Sequence, residues 1–130
     1  MASIFTKIIE GEIPAHKILE DDHYLAFLDI FPLSEGHTLV IPKQEIDYLF
    51  DLDDELYTGL HLFGKKVARA IRQAVPCKRV ATAVVGLEVP HAHLHLIPIN
   101  TMADFDFDKQ KLKPASEALT TTAENIRKCL

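Results

Sequence analysis

Five consecutive residues, His91-Ala92-His93-Leu94-His95, put three imidazoles at alternate positions. In an extended segment all three rings leave on one side, with Ala92, Leu94 and Leu96 on the other, because side chains alternate along a strand. Two chemistries can use such a row. The first is a metal. Neighbouring members lie ~6.6 Å apart along the backbone and can share one zinc at Zn–N distances near ~2.0 Å. The outer pair, about 13 Å apart, does not easily reach one ion, so a metal would take two of the three and need other ligands. His37 is a candidate, yet the chain has no second His-x-His and no paired cysteines. The second chemistry is attack on phosphorus. A neutral imidazole carries one N–H and one lone pair, and a neighbour that fixes the N–H leaves the other nitrogen as a nucleophile. Histidine titrates near ~6.5, so it is largely uncharged at neutral pH. The flanking rings then donate to phosphate oxygens, and no metal is needed. A purely structural row, satisfied by its sheet neighbours, stays open beside these two.

The elements that position the row follow from periodicity. Tyr24 to Asp29 reads as a buried strand, Pro32 and Gly36 bracket a turn, and His37 to Ile41 reads as the next strand, closed by Pro42. From Asp51 the period changes: Leu56, Leu60, Phe63, Val67 and Ile71 form one helical stripe, with acids at its start, bases toward its end and Pro76 to stop it. Arg79 to Val85 predicts a third strand and His91 to Ile97 a fourth, closed by Pro98. Asn100 to Lys113 is polar and broken, a loop. Pro114 can open a last helix over 114–130, with Leu119, Ala123, Ile126 and Leu130 on one side. Antiparallel strands with two helices make an α+β domain. With 130 residues and no repeat or linker, residues 1–130 read as one unit.

A formal net charge of -5 gives no general reason to hold a nucleic-acid backbone. A phosphate ligand needs aimed donors or a local positive spot. No run approaches a membrane span, and Met1 to Lys7 lacks the apolar core of a signal peptide. Cys77 and Cys129 read as unpaired thiols in a reducing, cytoplasmic setting. His16, His23 and His61 read as surface residues.

The segment His91-Ala92-His93-Leu94-His95-Leu96-Ile97 resembles the mark of the HIT (histidine triad) family, His-φ-His-φ-His-φ-φ with φ apolar. Ile4 to Ala15, Glu20 to Ile30 and Gly36 to Lys43 resemble three further blocks of that family in its order, so the likeness covers about residues 3–98. It implies an antiparallel sheet of about five strands with one long helix and a C-terminal helix, paired as a homodimer. It also implies roles. His93 would be the nucleophile of a nucleotidyl-histidine intermediate, His95 and His37 would contact phosphate, and His91 would orient the row. Asp29 would take the ribose hydroxyls, while Phe5, Ile8, Ile13, Phe27 and Ile30 would line the cleft for the base. On the residues alone, those five are better explained as core, and Asp29 as a turn residue before Pro32.

Two departures from the family matter. Many bacterial-type members hold a structural zinc with an N-terminal Cys-x-x-Cys and a histidine after Ile-Pro-Lys. Here Ser3, Thr6 and Glu45 stand in those places, so no metal is expected. Leu87 and Glu88 replace the usual Gln and Ser or Thr before the triad. Glu88 either turns outward or serves as an acid toward an amine leaving group. The expected activity is hydrolysis of a nucleoside phosphoramidate or similar conjugate, a purine nucleoside phosphate by preference, without a cofactor. Dinucleoside polyphosphate cleavage and a nucleotide-binding module with little turnover are the alternatives.

Overall fold

The computed structural model describes residues 2–130; Met1, with which the expected unit begins, lies outside them. Helix α1 (Ile4–Ile9) is followed by strands β1 (Lys17–Glu20), β2 (Tyr24–Leu28) and β3 (Thr38–Pro42). The long helix α2 (Asp54–Ala74) leads to β4 (Arg79–Ala83) and β5 (Leu94–Ile99), and α3 (Ser116–Arg127) ends the chain. All pairings are antiparallel, in the spatial order β1-β2-β3-β5-β4. This is the expected α+β architecture of five strands, a long helix and a C-terminal helix.

The sheet separates two apolar layers. Leu60, Phe63, Val67 and Ile71 of α2, with Leu119, Ala123 and Ile126 of α3, pack on Ala26, Leu28, Val40, Leu94 and Leu96. On the other face Phe5 and Ile8 of α1 pack on Leu25, Phe27, Leu39 and Ile41. Both faces of β2 and β3 are therefore covered, which is why these strands read as continuous apolar runs. Helix α2 starts where Asp53 accepts the backbone N–H of Leu56 at 2.8 Å, with Asp54 and Glu55 in its positive first turn.

The sequence reading needs correction at several ends. The strand expected from His91 begins only at Leu94, because the backbone before it is engaged elsewhere: the N–H of Ala92 donates to Ile46 at 2.7 Å and that of His91 to Val89 at 2.8 Å. Nor does Pro98 close this strand. Its carbonyl accepts from the Ser34 hydroxyl at 2.7 Å on the side where β3 has not yet begun, so its missing N–H costs no ladder bond. The third strand stops at Ala83 rather than Val85, and the last helix runs from Ser116 to Arg127 rather than over 114–130, leaving Leu130 exposed. His61 is not a surface residue: it is half-buried, its ring 4.8 Å from that of Tyr57, with Nε2 buried and unpaired. Between 100 and 113 the chain is loop apart from one tight turn, Met102–Asp104, as expected.

The turn that presents His37 depends on Gly36. Its φ of +90° suits glycine, and a Cβ there would lie 2.9 Å from Val75 Cγ2. The N–H of His37 closes this turn on the Ser34 carbonyl at 3.1 Å.

Candidate active site

Strands β3 and β5 lie side by side, with Leu39 opposite His95. His37 just before β3, His95 on β5, and His91 and His93 just before β5 are thereby gathered on the α1 side of the sheet, and all four are buried. The rings of His93 and His95 are 4.9 Å apart.

Hydrogen-bond partners fix the protons on these rings when each is neutral. The N–H of Leu33 donates to His37 Nδ1 at 3.0 Å, so the ring proton of His37 sits on Nε2. That proton is donated to His95 Nδ1 at 2.9 Å, which places the proton of His95 on its own Nε2. His91 donates from Nε2 to the carbonyl of Pro42 at 2.8 Å, and its Nδ1 accepts the Ser3 hydroxyl at 2.9 Å. His93 donates from Nδ1 to the carbonyl of His91 at 2.7 Å, which leaves the lone pair on Nε2. The row therefore offers one nucleophilic nitrogen and, beside it, one N–H donor.

Burial keeps the donors uncharged. Desolvation, helped by the nearby His95, lowers His37 to about 3. Desolvation, with His93 and Lys111 as further causes, lowers His95 to about 4. His91 is also lowered by burial, against the opposing pull of the Pro42 carbonyl. Asp29 is shifted the other way, its carboxyl raised by burial. Oδ1 of Asp29 accepts the N–H of Phe31 at 2.9 Å, the turn geometry its place before Pro32 suggests, while Oδ2 lies 3.8 Å from His37 Nε2.

His93, His95, His37 and Asp29 share one cavity of about 220 Å³. Residues 85–88 form one wall. Leu87 projects into solvent at 88% exposure, so Glu88, also exposed, is the side chain of that replaced pair that can turn to the opening. Phe107, Asp108 and Lys111, from the segment that sequence reasoning treated only as a loop, also line the cavity. Phe107 meets the ring of His95 edge-on at 5.1 Å.

The apolar candidates divide. Phe5, Ile8 and Phe27 are buried together, with Phe5 edge-on to Phe27 at 5.4 Å and to His93 at 5.0 Å. Ile13 is half-buried against them, and Ile30 stands 52% exposed beside Asp29.

Asp29, His37 and His95 bring a ligand atom each within 4.8 Å of one another. Both facing ring nitrogens are already joined through one proton at 2.9 Å, so an ion there would first have to displace it. A second convergence lies at the N-terminus. The Ser3 hydroxyl reaches His91, while Glu45 Oε1 accepts the Ser3 N–H at 2.6 Å and the Thr6 hydroxyl. Those bonds hold the Glu45 carboxyl down to about 2. Ser3, Thr6 and Glu45 thus form a hydrogen-bonded cluster behind His91. Sequence reasoning marked them only as lost ligands; that Ser3 is also the N-cap of α1, accepting from Thr6 N–H at 3.1 Å, was the available signal.

A family model described as the HIT domain matches residues 10–102. Protein hit of Bacillus subtilis is 44% identical over 100 residues, 73% of this chain and 69% of that one. The adenosine 5'-monophosphoramidase HNT1 of Saccharomyces cerevisiae is 41% identical over 98 residues, 75% of this chain and 62% of that one. Among solved structures, a Hit-like protein from Bartonella henselae superposes with a TM-score of 0.87 at 32% identity, covering 98% of this chain and 96% of that one. The chain belongs to the HIT domain family.

Proposed function

We propose that the chain hydrolyses a nucleoside phosphoramidate or a similar nucleotide conjugate, with His93 Nε2 attacking phosphorus. The observation that carries this reading is the 2.7 Å bond from His93 Nδ1 to the His91 carbonyl, which commits the ring proton to one side and leaves the lone pair on the other. As the P–Nε2 bond forms, the P–N bond of the substrate breaks and the amine leaves with a proton drawn from solvent. Water then attacks phosphorus, the P–Nε2 bond breaks, a nucleoside monophosphate departs and the proton is returned. His95 Nε2–H donates to a phosphate oxygen throughout, a preorganised donor in a poorly solvated site. Asp29 Oδ2 takes the ribose hydroxyls, and Phe5, Ile8, Ile13, Phe27 and Ile30 form the apolar side on which a purine rests.

The name of the yeast relative supports this substrate class. A homodimer is supported by β4, whose outer edge is unpaired in the sheet order, and by the exposed Tyr48, Phe50 and Leu62. A reducing, cytoplasmic setting is supported by two free thiols, Cys77 and Cys129; among the described residues no helix is long and apolar enough to cross a membrane.

Incubation with an adenosine phosphoramidate tests the reading. The unmutated chain should release adenosine monophosphate, and His93→Ala should release none while still binding it. Binding without product in the unmutated chain would favour a nucleotide-binding module. Cleavage of diadenosine tetraphosphate in preference to the phosphoramidate would favour the polyphosphate reading.

A further inference from the structure

We propose that Lys111 is a substrate-contacting residue that holds the anionic phosphate oxygens of the nucleotide bound at His93; this rests on the phosphorus-attack reading above. A nucleotide brings at least one full negative charge into the cavity beside His93 and His95. Burial holds His37 and His95 neutral at physiological pH, so the pair supplies one free donor, His95 Nε2–H, and no positive charge. The wall at 85–88 supplies no charged donor either, since Leu87 is apolar and Glu88 is an acid. Among the described residues lining the cavity, Lys111 is the one lysine or arginine. It lies near enough that its charge stabilises the Asp29 carboxylate and opposes protonation of His37 and His95.

The segment carrying Lys111 is built rather than loose. Asp104 Oδ2 accepts the N–H groups of Asn100 at 2.7 Å and Thr101 at 3.0 Å, fixing its start. The N–H of Leu112 donates to the Pro32 carbonyl at 2.9 Å, tying its end to the turn between Asp29 and His37. Between these ties Phe107 lies edge-on to His95 at 5.1 Å and to Phe105 at 5.6 Å. Lys111 is half-buried one residue before the second tie. Asp29, Glu88 and Asp108 line the same cavity, and the charge of Lys111 acts on the Asp29 carboxyl. An arriving phosphate, held also by the His95 N–H, competes for the same ammonium. The segment lies beyond residue 102, where the match to the family model ends.

Calorimetric titration of the full chain and of Lys111→Gln with adenosine monophosphate and with adenosine tests the assignment. The two ligands differ only in the phosphate. A charge-assisted bond of ordinary strength predicts about tenfold or greater weakening of the monophosphate in Lys111→Gln. Adenosine binding should be unchanged, and Lys111→Arg should restore most of the loss. Equal binding of the monophosphate by the unmutated chain and Lys111→Gln would overturn the assignment, as would equal losses for both ligands, which would mean a structural role. If the unmutated chain binds neither ligand, the proposed function itself fails, and this assignment with it.

Discussion

The ring of His37 meets the ring of His95 at 2.9 Å, Nε2 to Nδ1, although 58 residues separate them in sequence. Because the N–H of Leu33 occupies His37 Nδ1, the direction of this bond is settled: a backbone amide outside the cavity sets which nitrogen of His95 carries a proton within it. His37→Asn should break this transmission. His95 would then be free to put its proton on Nδ1 and present a lone pair, rather than a donor, to phosphate. Loss of one preorganised donor predicts a fall in kcat of about tenfold to a thousandfold, with a smaller change in KM. Steady-state kinetics on an adenosine phosphoramidate would reveal it, and an unchanged kcat would detach His37 from the chemistry.

Acid should destabilise the fold well before its carboxylates titrate. His37 and His95 stay neutral down to about 3 and about 4, whereas in the unfolded chain each titrates near the ordinary imidazole value of 6.5. Between those limits the unfolded state binds more protons, so stability rises with pH and is lost on acidification. It is fully present above about 6.5 and declines as pH falls toward the folded values. Asp29, its carboxyl raised by burial, acts in the opposite sense at the acid end. Thermal unfolding followed from pH 7.5 to 5 should show a falling midpoint, and the fall should be shallower in His37→Asn.

Gly59 lies within α2, where alanine ordinarily favours the helix by about 1 kcal/mol. Here the substitution should do harm. A Cβ at Gly59 would stand 2.0 Å from the hydroxyl oxygen of Tyr24, a buried side chain that donates to the Leu56 carbonyl at 3.0 Å. Moving that ring costs its hydrogen bond and its packing on Phe63, and overpacking of this kind costs about 1–3 kcal/mol. Gly59→Ala should therefore lower the urea midpoint despite its better helix propensity.

The features legible in the sequence were those carried by local repetition. The period of Leu60, Phe63, Val67 and Ile71 revealed α2, and the alternation at His91, His93 and His95 revealed the candidate histidine row. Strand β1 was not legible, since Lys17–Glu20 is four residues at a sheet edge, with a charge at each end and an irregular register. Pro98 misled because a proline in a strand interior is tolerated only where the neighbouring strand is absent, and that absence is a property of the sheet. Ser3, Glu45 and Lys111 were invisible as parts of the site for a related reason. Ser3 reaches His91 directly, Glu45 reaches it through Ser3, and Lys111 lines the cavity of His93 and His95, relations that no spacing encodes.

The Ser3 hydroxyl has a single hydrogen to give and gives it to His91 Nδ1, while its oxygen receives the amide that starts α1. One atom pair thus joins the ordering of the first helix to the seating of the histidine whose carbonyl aligns His93. Fraying of the opening turn would misalign the reacting nitrogen while the five strands remained intact. On slow warming, the capacity for turnover should fade at a lower temperature than the sheet itself.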